Sequence, residues 1–249
     1  MAGDYDSLFT ATVIGTLMRK AVWARCADRF QAGHKVLEMN CGTGEDALWL
    51  ARRGVQVLAT DVSPAMLEVA RNKLSGTPDG EQVRFQLLAW EDLAKLNAGP
   101  FDGMLSNFGG LNCVGDLREA ARALAAKLRP GAVAILCVMG PVVPWEWAWF
   151  LAQGRPAKSL RRLRRGGSEW SGIRVHYPSI ARTREVFSPE FRMLRVSALG
   201  ALLPPPYTEK RLGRFARVLA GLERVERRLE TLWPLPWLSD HYLLELERV

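Results

Sequence analysis

A chain of 249 residues with 48% hydrophobic content can bury one substantial core, so a single undivided domain over residues 1–249 is expected. Cys26, Cys41, Cys113 and Cys137 lie far apart with no Cys-x-x-Cys pair or matching histidine cluster, which favours reduced thiols, no metal site and a cytoplasmic setting. The start Met1-Ala2-Gly3-Asp4-Tyr5-Asp6 is acidic where a signal peptide is basic, and no apolar run reaches membrane-spanning length, so neither secretion nor membrane insertion is expected.

Residues 8–31 read as an amphipathic helix within an N-terminal lead-in, 1–34. Next comes Val36-Leu37-Glu38-Met39-Asn40-Cys41-Gly42-Thr43-Gly44-Glu45-Asp46, a strand over 35–39, a glycine turn and a helix over 45–53. The glycines let the backbone turn sharply and approach a ligand with no Cβ in the way. A second strand, 55–60, runs into Asp61, which lies 17 residues beyond Gly44. That is about where a doubly wound fold places the carboxylate that accepts hydrogen bonds from a ribose diol. The third glycine of a pyrophosphate loop is missing, and Glu38 would repel phosphate and attract a cation. An uncharged ribose carrying a cationic group fits better than a dinucleotide.

Helix 64–74, strand 83–88, strand 101–106, helix 116–127 and strand 133–139 continue the alternation, which means βαβ units and a parallel sheet. Val133-Ala134-Ile135-Leu136-Cys137-Val138-Met139 is apolar throughout, as a strand covered on both faces should be.

At these residues the chain resembles the class I S-adenosylmethionine-dependent methyltransferases. Glu38, Cys41, Gly42, Thr43 and Gly44 match the first motif, with Asn40 where many members have glycine; Asn tolerates φ > 0 best among the other residues. Asp61-Val62-Ser63-Pro64-Ala65-Met66-Leu67 resembles the second motif, which implies that Asp61 holds the ribose and that Val62 and Met66 touch the adenine. Leu88-Ala89-Trp90-Glu91-Asp92-Leu93 corresponds to the segment flanking the adenine, with Ala89 where many members place an Asp, so that contact is lost or passes to a neighbour such as Glu91. Phe101-Asp102-Gly103-Met104-Leu105-Ser106-Asn107-Phe108 looks like the fourth strand, and Leu128-Arg129-Pro130-Gly131 like the turn before the fifth.

The resemblance spans roughly 36–140 and implies S-adenosyl-L-methionine as cofactor and S-adenosyl-L-homocysteine as product. It also implies a Rossmann-like, seven-stranded, mostly parallel sheet with helices on both faces, 35–140 forming the cofactor core. Segment 107–112 then faces the transferred methyl. This makes Asn107 a cofactor residue and Phe108 and Asn112 substrate contacts, although Asn112 could equally cap a helix or turn. An N-terminal Asp4-Tyr5 often folds over the cofactor in this family, which makes Tyr5 a catalytic candidate. Members usually continue with a helix and an antiparallel strand pair, here near 179–187, 191–199 and 241–247.

Two segments are left over, 141–175 after strand five and 203–237 between the last two strands; both read as a helical or irregular cap that sets substrate specificity. Residues 1–140 carry 15 Lys and Arg against 15 Asp and Glu, and residues 141–249 carry 19 against 11, so the net charge of +8 belongs to the C-terminal part. Arg155, Lys158, Arg161, Arg162, Arg164 and Arg165 follow the aromatic run Trp145-Glu146-Trp147-Ala148-Trp149-Phe150. This is either a solvated basic face beside packed aromatics or a surface for an anionic amphiphile or an anionic membrane. Nucleic acid ranks well below a small molecule, because Ser106-Asn107-Phe108-Gly109 is not the Asn/Asp-Pro-Pro-aromatic sequence of many base-methylating relatives. Trp145 in the cap and Tyr177 just after it are expected to meet substrate.

Methyl transfer from a sulfonium is an in-line displacement that rests mainly on alignment and desolvation, with a base needed only for some acceptors. Of the histidines, His34 precedes the first strand at the edge opposite the cofactor, and His241 opens the last strand as a satisfied core or edge residue. His176, in Val175-His176-Tyr177-Pro178, is the base candidate. The expectation is methyl transfer to a small hydrophobic or anionic molecule, with RNA or protein methylation and a silent cofactor-binding protein as alternatives; acceptor atom and oligomeric state stay open.

Overall fold

The computed structural model describes residues 5–170 and 172–249, the side chains of Leu8 and Trp170 excepted; Asp4 lies outside the described residues. Its strands are β1 (Lys35–Met39), β2 (Gln56–Asp61), β3 (Val83–Leu87), β4 (Phe101–Ser106), β5 (Leu128–Met139), a small hairpin of β6 (Ser168–Trp170) and β7 (Ile173–Val175), then β8 (Phe191–Leu199) and β9 (His241–Arg248). Seven of them form one sheet in the order β3-β2-β1-β4-β5-β9-β8. The first five strands are parallel, with Met39 opposite both Thr60 and Ser106, and Ser106 opposite Leu136. Antiparallel β9 begins at the carboxyl edge of the others, with His241 opposite Met139 and Leu199. This is the Rossmann-like, mostly parallel seven-stranded sheet that the sequence leads one to expect.

Alternate residues of each central strand feed separate cores. Leu37, Met104, Leu136 and Leu244 point to one face, and Val36, Leu105, Ile135 and Leu243 to the other. The helices are α1 (Val13–Arg29), α2 (Glu45–Ala51), α3 (Pro64–Leu74), α4 (Leu117–Lys127), α5 (Pro144–Leu151), α6 (Ile180–Phe187) and α7 (Ala216–Leu229). Local chemistry sets their starts: Ser63 Oγ accepts from Met66 N at 3.3 Å with Pro64 at the first position of α3, and Asp116 accepts from Arg118 N at 2.8 Å at the head of α4.

Three boundaries differ from the sequence expectation. The lead-in is a π-helical turn, Asp6–Thr10, followed by α1, because Thr12 is extended and its hydroxyl accepts from Gly15 N at 3.0 Å. The segment Leu128-Arg129-Pro130-Gly131 is not a turn but the first stretch of β5, carried past a register shift between Phe101 and Gly103 by Gly131 at φ +79°. The span 203–237 holds α7, which lies against α1: Arg25 pairs with Glu230 at 3.7 Å, and Arg227 donates to Ala21 O at 3.4 Å. That helix runs beside α1, and its Glu226 accepts from Gly200 N at 2.7 Å, just after β8.

Candidate functional site

The carboxyl ends of β1, β2 and β4 meet at the glycine turn. Asn40, Gly42 and Gly44 adopt φ values of +52°, +54° and +78°. A Cβ on Gly42 would meet nothing within 4 Å, so this main chain faces open space, whereas one on Gly44 would press Ala70 Cβ at 3.0 Å. Asp61 ends β2, and its two oxygens accept from Gly42 N at 2.9 Å and Ser63 N at 2.8 Å. Burial raises its pKa while these amide bonds oppose the shift. The carboxylate is thus aimed by the backbone while keeping lone pairs for a diol. Beside it Val62 is 67% exposed, an apolar surface left open at the same edge, with half-buried Met66 and Ala89 nearby.

Asn40 fills the place of the missing glycine in a definite way. Its Nδ2 donates to Asn107 O at 3.0 Å, and its Oδ1 accepts from Ser106 Oγ at 2.8 Å and the buried Trp90 indole at 3.4 Å. Residue 110 must then be glycine, since a Cβ there would fall 1.9 Å from Asn40 Cγ.

A buried charge network lies under the methionine side of the turn. Asp46, in the first turn of α2, accepts from Arg19 Nη1 at 2.6 Å, Trp23 Nε1 at 2.6 Å and Asn107 Nδ2 at 2.9 Å. Arg19 also lies 4.9 Å over the Phe108 ring and 5.7 Å over Phe9. Of the five sealed side-chain atoms without a hydrogen-bond partner among the described residues, Arg19 Nε and Glu38 Oε2 belong to this region. Burial, then Asp46, raises the Glu38 pKa well above the usual carboxylate range. An unmatched donor and an unmatched acid beside one turn are complementary to the carboxylate and ammonium of an amino acid.

The lead-in closes this region. Thr43 Oγ1 donates to Asp6 Oδ1 at 2.6 Å, and Lys73 Nζ bridges Asp6 at 2.8 Å and Glu45 at 2.5 Å. The cavity bounded by Tyr5, Arg19, Asn40, Gly42, Thr43 and Phe108 holds about 30 Å³, room for one or two waters. The edge beside Val62 is open, and the Tyr5 segment covers the small cavity on the other side of the turn. Burial raises the Tyr5 pKa, which favours the neutral phenol there. Burial likewise keeps the Cys41 thiol protonated. A larger cleft of about 590 Å³, lined by Arg71, Leu74, Thr77, Glu81 and Phe85, lies at the outer β3 edge, away from these groups.

On the acceptor side the structure redistributes the expected roles. Asn112 is fully buried and spent on the main chain: Nδ2 donates to Met139 O at 3.0 Å and His176 O at 2.6 Å, and Oδ1 accepts from Met139 N at 2.9 Å. It clamps the loop after β7 to the end of β5 and has no donor left for a substrate. His176 is held there by its main chain, its N donating to Asn112 O at 2.7 Å. Tyr177 shares a 2.8 Å hydrogen bond with Ser168, and the Trp145 indole donates to Leu202 O at 3.2 Å, tying α5 to the loop after β8. The basic run is not uniformly solvated. Arg162 is 6% exposed, bound to Glu146 at 3.0 Å and Asp240 at 2.5 Å, and Arg161 takes Glu146 at 2.8 Å, whereas Arg155, Lys158, Arg164 and Arg165 stay exposed. Sequence reasoning missed Arg19, Asp46, Arg162 and Asp240. The one local signal was Asp46 in the first turn of α2, which reads equally as a helix-dipole acid.

The sheet order, the glycine turn and the oriented acid at the end of β2 together define the class I S-adenosylmethionine-dependent methyltransferase fold. Within it, residues 36–131 match the family described as Methyltransferase domain. The chain is 39% identical over 100 residues to a ubiquinone biosynthesis O-methyltransferase of Xanthomonas axonopodis pv. citri, covering 40% of this chain and 41% of that protein. It is 34% identical over 145 residues to a demethylmenaquinone methyltransferase of Clavibacter sepedonicus, covering 58% and 57%. The match thus spans about two fifths of the length of the first of these relatives. Among solved structures, an S-adenosylmethionine dependent methyltransferase from Mesorhizobium loti superposes with a TM-score of 0.60 at 20% identity, covering 92% of this chain and 98% of that one. No helix among the described residues is long and apolar enough to cross a membrane.

Proposed function

We propose that this chain binds S-adenosyl-L-methionine and transfers its methyl group to a small hydrophobic acceptor. The observation that carries the reading is the glycine turn with the backbone-aimed Asp61 on one side and the unmatched pair Arg19 Nε and Glu38 Oε2 on the other. In this reading Asp61 takes the ribose hydroxyls, Val62, Met66, Ala89 and Trp90 flank the adenine, Arg19 receives the amino-acid carboxylate and Glu38 its ammonium. Gly42, Thr43 and Gly44 form the floor, with Asn40 and Asn107 bracing it. The bound cofactor supplies an electrophilic methyl on a positively charged sulfur. The residues supply alignment and exclusion of water, which displacement at a sulfonium chiefly requires.

The names of the two relatives support an aromatic, quinone-type acceptor. Phe108, Phe9, the cap residue Trp145 and Tyr177 suit such a ring better than an anion, because Glu146 and Asp240 already take up Arg161 and Arg162. A hydrophobic acceptor implies a lipid source. We assign contact with an anionic membrane surface to the flank formed by α7 and 232–237, where Phe215, Val218, Val225, Leu229, Leu232 and Trp233 are 36–79% exposed beside the exposed Arg217, Arg224 and Arg228. Calorimetric titration with S-adenosyl-L-methionine and S-adenosyl-L-homocysteine tests the cofactor reading. Product analysis with hydroxylated aromatics then tests the acceptor class. Micromolar binding is expected, and failure to bind either ligand overturns the proposal.

A further inference from the structure

The last strand brings an unused acid and imidazole to the acceptor side of the site. Because β9 runs antiparallel, its first residue, His241, sits at the carboxyl edge beside Met139, the residue that Asn112 clamps. The His241 ring is 7% exposed and packs edge-on against Phe108 at 5.7 Å between centroids, and Phe108 in turn bounds the cofactor cavity. Phe108 holds φ +45°, a strained value for a bulky residue, and its N–H is fixed by Asn107 Oδ1 at 2.9 Å.

Behind the imidazole stands a buried chain of charges. His241 Nδ1 lies 3.2 Å from Asp240 Oδ2, and the other Asp240 oxygen accepts from Arg162 at 2.5 Å. Arg162 is locked by Glu146 at 3.0 Å and by the carbonyls of Gly140 at 3.2 Å and Asp240 at 3.0 Å. Burial works against the Asp240 carboxylate, yet Arg162 and then His241 hold its carboxyl well below the usual range. Nδ1 is sealed and makes no hydrogen bond of good geometry among the described residues, and Asp240 Oδ2 at 3.2 Å is the acid beside it. Nε2 is not among the sealed, unpartnered atoms and has no hydrogen-bond partner among the described residues. Arg19 lies across Phe108 and is already paired with Asp46.

We infer that His241 is the general base for an acidic hydroxyl on the acceptor, with Asp240 and Arg162 as positioning residues that fix its tautomer. This rests on the methyltransferase reading above. With the Asp240 carboxylate beside it, Nδ1 is the favoured site for the ring proton, which leaves the Nε2 lone pair to accept one, the arrangement by which a buried carboxylate orients a catalytic imidazole elsewhere. The acceptor O–H gives its proton to Nε2 as the oxygen lone pair forms the O–CH3 bond. The C–S electron pair returns to sulfur, leaving a neutral thioether, and the imidazolium then passes its proton to water. Arg162, the one buried member of the basic run, is thus explained by the acid it holds. His176, placed earlier as the base, is left without an orienting acid.

The test is ring nitrogen–proton correlation spectroscopy on the full chain labelled at histidine, at pH 8, with His241→Gln to assign the resonance among the three histidines. The expected signal is the neutral Nδ1–H tautomer at His241, shifting toward Nε2–H in Asp240→Asn. In parallel, wild type and His241→Gln are compared for S-adenosyl-L-methionine affinity by calorimetry and for turnover of 3,4-dihydroxybenzoate. Affinity should stay within twofold while kcat falls at least a hundredfold. A His241 ring in the Nε2–H form in wild type, or turnover in His241→Gln within threefold of wild type, overturns the assignment. Because the tautomer is read without cofactor or acceptor, loss of cofactor binding by the wild type is a separate result that overturns the methyltransferase reading instead.

Discussion

Asp61 shows how one side chain is set up before any ligand arrives, since two amides fix its carboxylate. Asp61→Ala should weaken S-adenosyl-L-methionine binding at least tenfold by calorimetry, as loss of a hydrogen-bonded buried acid is worth about 1.5–3 kcal/mol; unchanged affinity would refute the motif assignment. Glu38 behaves in the opposite sense. Its folded pKa is raised above the ordinary 4.5, so its contribution to stability is fully present below that value and is lost as pH rises through the folded one. Glu38→Gln should therefore gain thermal stability over wild type as pH is raised from 4.5 to 8 without ligand, yet bind the cofactor more weakly. A difference in Tm that is flat with pH would remove the burial argument. Gly110→Ala should displace Asn40 and cost about 1–3 kcal/mol in denaturant unfolding, because the added methyl falls on the Asn40 side chain.

At the level of elements, the lead-in is tied to the site by one acid. Asp6 joins the π-helical turn to the glycine turn through Thr43 and to α3 through Lys73. Burial opposes the Asp6 carboxylate, but Lys73 and Thr43 hold its pKa below the usual value. Partly exposed pairs of this kind contribute little to global stability. Asp6→Asn should thus leave Tm within about 2 °C while raising the off-rate of S-adenosyl-L-homocysteine severalfold in stopped-flow fluorescence; an unchanged off-rate would mean that the segment does not gate the cavity. The five parallel strands and α2, α3 and α4 were legible from periodicity, glycines and caps, because those signals act within a few residues; β8 and β9 followed from the family resemblance, and the hairpin of β6 and β7 was not foreseen. The break at Thr12 and the early start of β5 were not, since a single hydroxyl bond and a bulge beside β4 decided them. Asn112 illustrates the same limit: its type suits a cap, but its partners Met139 and His176 lie 27 and 64 positions away.

Across the whole molecule the surplus positive charge divides by burial. Arg161 and Arg162 are matched by Glu146 and Asp240, while Arg217, Arg224 and Arg228 of α7 remain exposed beside its apolar flank. The chain should co-sediment with phosphatidylglycerol vesicles but not with phosphatidylcholine vesicles, with binding falling steeply as salt rises. Trp233→Ala combined with Arg224→Glu should reduce that binding at least tenfold without changing cofactor affinity, and equal binding to both vesicle types would discard the membrane surface. Sequence alone determined the parallel sheet, the glycine turn and the acid at the end of β2, because strand period, turn chemistry and short spacings are local properties of the chain. The tertiary structure alone decided which charges are matched. Arg19 meets Asp46 across 27 positions and Arg162 meets Asp240 across 78, and pairings at such separations follow from where the packed elements bring side chains out of water.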